Sequence, residues 1–421
     1  VTKKLFFLCN FIVLLSLVLT GCGANAQSSQ NQPVTLRYAI WDQNQVPALQ
    51  QMVTAFKKTH PNISVDIEVT PFAQYFTKLQ TAISGGSAPD VFWMNGPNFG
   101  TYASNGVLMP LDNMISSGQI NMSNYPASLV SLYTYNGKQY AIPKDFDTVG
   151  LWYNKKLFDA AGVKYPDSSW NWNTLTQAAK KLTNPSKGVW GIAAPMVDQE
   201  GFYNTIPQAG GFVISANKKT SGFDNPASIQ GLQFWTNLIQ DKSSPTLAQM
   251  TDTLPLSMFE SGKVAMMYGG SWDALVLAQD GYTKTNVNVT VLPEGKTRAT
   301  VIHGQGIAIS ASTKHPQQAK EFAAFLGSKQ AANILGETGT VIPAFNGTQQ
   351  NWVKAFPQYD LQSFLDELPY AIPYPTSINA PEWQNVQNTV LNKVWAGQMP
   401  PAQGGQQIAT QMNQILASGQ N

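Results

Sequence analysis

The stretch VTLRYAIWDQNQVPALQQMVTAFKKTHPNISVDIEV, residues 34–69, decides the fold class. Val34 to Ile40 alternates apolar and polar side chains and is rich in β-formers, which predicts a strand. From Val46 to Lys58, the residues Val46, Leu49, Met52 and Phe56 recur at helical spacing. Pro61-Asn62 reads as a turn, and ISVDIEV (63–69) alternates again as a second strand. Downstream, Phe76, Leu79 and Ile83 mark a helix stopped by Gly85-Gly86, and DVFWM (90–94) reads as a buried strand. Strands alternating with helices argue for an α/β protein with a mostly parallel sheet.

The pattern returns farther along. Trp172, Leu175, Ala179 and Leu182 predict a helix with Asn171 as its N-cap, and Val189 to Ala194 reads as a strand. Asn225-Pro226 has the form of a cap followed by an N1 proline, opening a helix on Ile229, Leu232 and Leu238. VAMMY (264–268) and IAIS (307–310) read as strands, and Pro316 opens a helix on Ala319, Phe322 and Phe325. The last 75 or so residues look helical, broken by Pro369, Pro373, Pro375 and Pro400-Pro401.

A chain of 421 residues is long enough for two domains. Charged residues make up only 12%, where about 25% is usual, and the formal net charge is +2. That is no electrostatic footprint for nucleic acid. Few carboxylates whose protonation would penalise folding also suits an acidic exterior, although lineage composition would explain it equally. At the N-terminus, Lys3 and Lys4 precede an apolar run from Leu5 to Val18, too short to span a bilayer. The run leads into Leu19-Thr20-Gly21-Cys22, which resembles the lipobox of bacterial lipoproteins. Residues 1–21 are therefore expected to be a signal peptide, Cys22 the lipidated residue, and 22–33 a flexible polar tether. With Cys9 in the signal and Cys22 acylated, the mature chain would have no disulfide.

Several segments resemble the bacterial extracellular solute-binding proteins of family 1, the maltose, multiple-sugar and glycerol-3-phosphate receptors of ABC importers. They are SGGSAPDVFWMN (84–95), YAIPKDFDTVGLWYNKKLFDAAGV (140–163), SWNWNTLTQAAKKL (169–182), FESGKVAMMYGGSW (259–272), GQGIAIS (304–310) and GTVIPA (339–344). The resemblance implies a two-lobed, type II periplasmic-binding-protein-like fold, with two α/β lobes on a hinge and an extra helical C-terminus. Lobe one would comprise 34–143 plus 302–343, and lobe two 144–301 plus 344–421. The ligand would sit in the cleft between them. A monomer is expected, delivering its ligand to a membrane permease and touching the membrane only through its lipid.

Sugar recognition needs aromatic faces and planar hydrogen-bonding groups, and the chain has 11 Trp and 15 Tyr. Trp41 and Asp42 leave the first strand at its C-terminal end, where α/β ligands bind; the alternative is a helix-entry Asp beneath a packed Trp. Asn95 leaves the strand at 90–94 in the same way, whereas Asp90 reads as structural. In the implied fold, 140–154 is a crossing between lobes, which sets Asp145 and Asp147 on the cleft floor as hydroxyl acceptors or as turn caps. The resemblance places Trp272 against a sugar ring, with a cap on the core of lobe two as the alternative. His303 near the second crossing, Tyr203 beside Glu200, and Tyr374 and Trp383 around a proline-rich turn complete the candidate ligand-binding set.

No His/Cys cluster suggests a metal, and no motif suggests a cofactor. Two carboxylates two residues apart cannot flank a scissile bond from opposite sides, which argues against a glycosidase. A non-transport surface lipoprotein on the same fold is the other alternative. Phosphate favours arginine forks, and the arginines here are Arg37 and Arg298, the first inside a strand. A neutral sugar or oligosaccharide is therefore the expected ligand, with no catalysis.

Overall fold

A computed structural model describes residues 33–418. The signal peptide, Cys22 and nearly all of the tether lie outside these residues. Among the described residues, eight strands build the two main sheets: β1 (Val34–Ile40), β2 (Ile63–Val69), β3 (Val91–Met94), β4 (Ala141–Pro143), β5 (Val149–Asn154), β6 (Met266–Gly270), β7 (Val287–Thr290) and β8 (Gly306–Ile309).

The opening stretch folds as its pattern dictates. β1 pairs in parallel with β2 from Val34↔Ile63 to Ile40↔Val69, and its Leu36, Tyr38 and Ile40 point into the core. The helix between them, Val46–Thr59, buries Leu49, Met52 and Phe56. Full burial of such side chains contributes about 1.5–3 kcal/mol each. β3 pairs in parallel with the other edge of β1, and the helix Phe72–Ser84 precedes it. β8 then enters antiparallel between β3 and β4, giving the order β2-β1-β3-β8-β4.

The second sheet differs from the parallel arrangement expected of it. Its order is β7-β5-β6, and both pairings are antiparallel. All six residues of β5 are buried, as befits the central strand. The strand expected at 189–194 is not formed as one. Trp190 and Ala193 bond to Lys263 and Met266 beside β6, but Ile192 N–H turns to Ser243 and Ala194 N–H to Ser244 Oγ. The segment divides its bonds between two neighbours, so no continuous ladder forms. β6 itself lies two residues later than its apolar run suggests.

Helices form where caps and apolar spacing predict them. Asn171 Oδ1 accepts from Thr174 N–H and opens Trp172–Leu182; Asn225 Oδ1 caps Pro226–Gln240. The C-terminal region is helical between its prolines, with long helices Ala380–Trp395 and Pro401–Ser418 packed together and against Pro226–Gln240.

The chain passes between the two sheets in adjacent extended segments. Residues 143–149 run antiparallel to 302–306: Asp147 and His303 exchange backbone hydrogen bonds at 2.9 and 3.3 Å, and Lys144 N–H donates to Gln305 O at 2.8 Å. Ile342 and Pro343 pair with Phe146 and Asp145 on the other side. Gly304 lies so close to this neighbour that a Cβ would stand 2.3 Å from Asp145 O. This is the two-lobed type II arrangement, with the crossings as its hinge.

Candidate ligand cleft

The crossings floor a cleft of about 960 Å³. Its walls come from strand ends and helix starts, where side chains leave a rigid sheet without being packed by it.

On the first-sheet side, Trp41 follows β1 and stays half-buried. Its ring is held edge-on by Trp93 and Tyr75, each with its centroid 5.0 Å away, and it meets Phe72, which is 55% exposed. Asp42 also lines the cleft, but Asn44 N–H and Gln45 Nε2 donate to its two oxygens, so it caps the short turn that follows. Asn95 accepts from Asn98 N–H and Nδ2 through Oδ1, capping the helix Gly96–Ser104. Among the described residues its Nδ2 has no hydrogen-bond partner, and the residue lines the cleft. Asp90, by contrast, bonds Arg37 N–H and Thr313 Oγ1 away from the cleft, as a structural residue does.

On the floor, the two aspartates part company. Lys144 Nζ lies 2.6 Å from Asp145 Oδ2, Gln305 N–H donates to Oδ1 at 2.8 Å, and the lysine also reaches Gln45 Oε1. Asp145 is thus locked into the hinge, and its expected role as a free hydroxyl acceptor does not fit. Asp147 accepts from Gln199 Nε2 at 2.6 Å. Burial, then the charge of Asp145, push its carboxyl well above the usual range. His303 lines the floor with Nε2 accepting from Gly96 N–H at 3.2 Å. Burial lowers its pKa to about 4, so the ring is neutral, as that acceptor role requires. Gln305 Oε1, also in the lining, is buried and has no partner.

On the second-sheet side, Trp272 follows β6 and is half-buried on the cleft wall. Its ring folds back over Gly270, where a Cβ would sit 2.2 Å from the indole; only glycine leaves room. Beside it are Asp273 and the wide, π-like turn Asp198–Phe202, a distortion often found at functional sites. Asp198 Oδ2 accepts from Tyr374 OH at 2.7 Å, and Tyr374 OH accepts from Gln384 Nε2 at 2.9 Å. Burial and the nearby Asp198 raise Glu200 to about 7, and burial with Glu200 pushes Asp273 up as well. Among the described residues, no side chain hydrogen-bonds the Glu200 carboxyl.

Eight of the ten expected ligand contacts therefore surround one cleft: Trp41, Asp42, Asn95, Asp145, Asp147, Trp272, His303 and Tyr374. Tyr203 and Trp383 do not. Tyr203 is 1% exposed and donates to Gln387, and Trp383 is fully buried and donates to Ser377 Oγ. Both belong to the core that seats the C-terminal helices. Sequence reasoning missed Gln199, Asp198, Asp273 and Asn98, which become neighbours only through tertiary contacts. It also missed Gln384, Asn388 and Asn392, whose four-residue spacing on one helix was a readable signal.

Among the described residues, no group of side chains could hold a metal ion, and no helix is long and apolar enough to cross a membrane. Comparison with known families matches residues 42–333 to the bacterial extracellular solute-binding proteins. The chain belongs to this family. As a solute-binding protein it is a receptor rather than an enzyme, and its family is extracytoplasmic. Among similar proteins is the galactooligosaccharide-binding protein of Bacillus subtilis (strain 168), 25% identical over 98% of this chain and 97% of its own length. An ABC substrate-binding protein of Listeria monocytogenes, solved in complex with cycloalternan, is 29% identical with a TM-score of 0.87, covering 92% of this chain and all of its own. The GacH receptor of Streptomyces glaucescens, solved unliganded and with acarbose, shares the fold at 23% identity, with a TM-score of 0.82 over 91% of this solute-binding protein and 98% of its own chain.

Proposed function

We propose that this solute-binding protein is the sugar-capturing component of an ABC importer, held at the outer face of the cell membrane by a lipid on Cys22 and handing its ligand to a permease when the hinge closes. The hinge would divide the chain into 34–143 plus 302–343 and 144–301 plus 344–421. The observation that carries the reading is the pairing, across one cleft, of half-buried Trp41 and Trp272 with the uncommitted Asn95 Nδ2 and Glu200 carboxyl. Aromatic faces stack on the C–H faces of a sugar, and the polar groups take its hydroxyls.

Charge supports a neutral ligand. Arg37 pairs with Glu68, and Arg298 bonds Ser168 O near Glu294; neither lines the cleft. Lys144, in the crossing that floors the cleft, is already engaged by Asp145 and Gln45. A phosphate would find no free partner among these groups. The sugar-binding names of the relatives point the same way.

Calorimetry against a panel of gluco-, galacto- and arabino-configured sugars tests the reading. At least one neutral sugar should bind, and Trp272→Ala should weaken it by about a hundredfold with the melting temperature unchanged. Absence of binding across the panel, or undiminished binding by the variant, overturns it.

A further inference from the structure

The cleft that holds Trp272 and Asp147 is also lined by the C-terminal helix Ala380–Trp395. That helix is fixed in rotation by a buried face of Trp383, Gln387, Val390, Leu391, Val394 and Trp395. Its cleft-lining positions are then Gln384, Asn388 and Asn392, one per turn. At about 1.5 Å of rise per residue the row spans about 12 Å. Exposure increases along it, from half-buried Gln384 to exposed Asn388 and Asn392. The row carries no charge, whereas Glu382 and Lys393 occupy other faces of the same helix.

These carboxamides are only partly engaged. Among the described residues, Asn388 Oδ1 accepts from Gln387 Nε2 while its Nδ2 has no protein partner, and Asn392 Nδ2 donates to Asn388 O while its Oδ1 has none. The helix packs against Gly96–Ser104, where Thr101 Oγ1 bonds Ile378 O. That second helix brings Asn95 and Asn98 to the same cleft. Two helices in contact thus line one cleft with carboxamides, which offer donors and acceptors without a charge to desolvate. The repeat of one helical turn is comparable in length to one sugar ring. The cleft's volume also stands at the upper end of the usual range for small-molecule sites, about 300–1,000 Å³.

We propose that Gln384, Asn388 and Asn392 form an extended subsite that reads the second and later rings of an oligosaccharide, so that the receptor selects ligands by length. The inference rests on the sugar-receptor reading and deepens it.

Calorimetry with monosaccharides and the matching tri- and tetrasaccharides tests it, using the full-length protein and an Asn388→Ala/Asn392→Ala variant. Both residues are exposed, and thermal melting checks that the variant folds. The unaltered protein should bind the trisaccharide at least tenfold more tightly than the monosaccharide. In the variant this ratio should shrink by about tenfold to a hundredfold, since each lost neutral hydrogen bond weakens binding several-fold. Equal affinity for one ring and three in the unaltered protein, or an unchanged ratio in the variant, overturns the length selection and leaves the sugar receptor standing. Failure of every sugar to bind overturns the receptor reading and the subsite with it.

Discussion

Gln199 Nε2 donates to Asp147 Oδ1 at 2.6 Å, tying the turn Asp198–Phe202 to the crossing between the sheets. The bond holds a buried carboxyl that is otherwise pushed toward its neutral form by burial and by Asp145. Asp147→Asn keeps an oxygen for Gln199 and removes the charge. The variant should melt at the same temperature or higher at pH 8, because an acid held above its usual pKa destabilises the fold once ionised. Sugar affinity should fall about tenfold, as an acceptor for a hydroxyl is weakened. Unaltered affinity with a lowered melting temperature would show that Asp147 only braces the hinge.

The neighbouring Asp145 predicts the opposite behaviour. Its salt bridge to Lys144 is almost fully buried, both side chains being no more than 3% exposed. Removing one partner leaves a buried charge alone, which costs about 3–5 kcal/mol. Lys144→Met should therefore lower stability by that amount in denaturant titration, and the double variant Lys144→Met/Asp145→Asn should recover most of it. If the single change is silent, the pair is not what locks the crossing.

Trp383 and Trp272 separate core from cleft. Trp383 is fully buried, and Trp383→Ala should cost about 3–5 kcal/mol of stability in the same titrations. Trp383→Phe should restore much of that stability and keep sugar affinity within about twofold. Affinity lost in Trp383→Phe without loss of stability would return Trp383 to the ligand site.

The first sheet was legible because local and tertiary signals agree there. Alternation in Val34–Ile40 and the helical spacing of Leu49, Met52 and Phe56 describe one buried face each. The strand expected at 189–194 shows where local pattern stops. An extended segment can divide its backbone bonds between neighbours, and nothing within it tells which. The site was legible by position rather than by chemistry. Residues leaving strand ends, such as Trp41, Asn95 and Trp272, reached the cleft, because the sheet carries them there. Whether a carboxylate on the floor is engaged depends on distant partners. Gln305 approaches Asp145 from 160 residues away, and Gln199 approaches Asp147 from 52. Tyr203 and Trp383 failed for the same reason: each sits in the first turn of a helix and turns its ring inward, into a core assembled from distant helices that no local pattern locates.

The buried acids also set the sign of the pH dependence. Glu367 is fully buried; Leu292 N–H bonds its Oε1, while Oε2 has no partner. Burial raises its pKa to about 8, and Glu200 in the cleft stands at about 7, both above the ordinary value of 4.5. In the folded state these acids hold their protons to higher pH than in the unfolded chain. The stability they lend is complete below about pH 4.5 and is lost as pH rises through 7 and 8. The melting temperature should thus climb as pH falls from 9 to 5, the reverse of a protein whose carboxylates are held ionised by salt bridges. Glu367→Gln keeps the acceptor for Leu292 and should flatten the curve between pH 6 and 9. A melting temperature that falls steeply from pH 6 to 4 would defeat this account, and with it the suggestion that the low acidic content suits an acidic exterior.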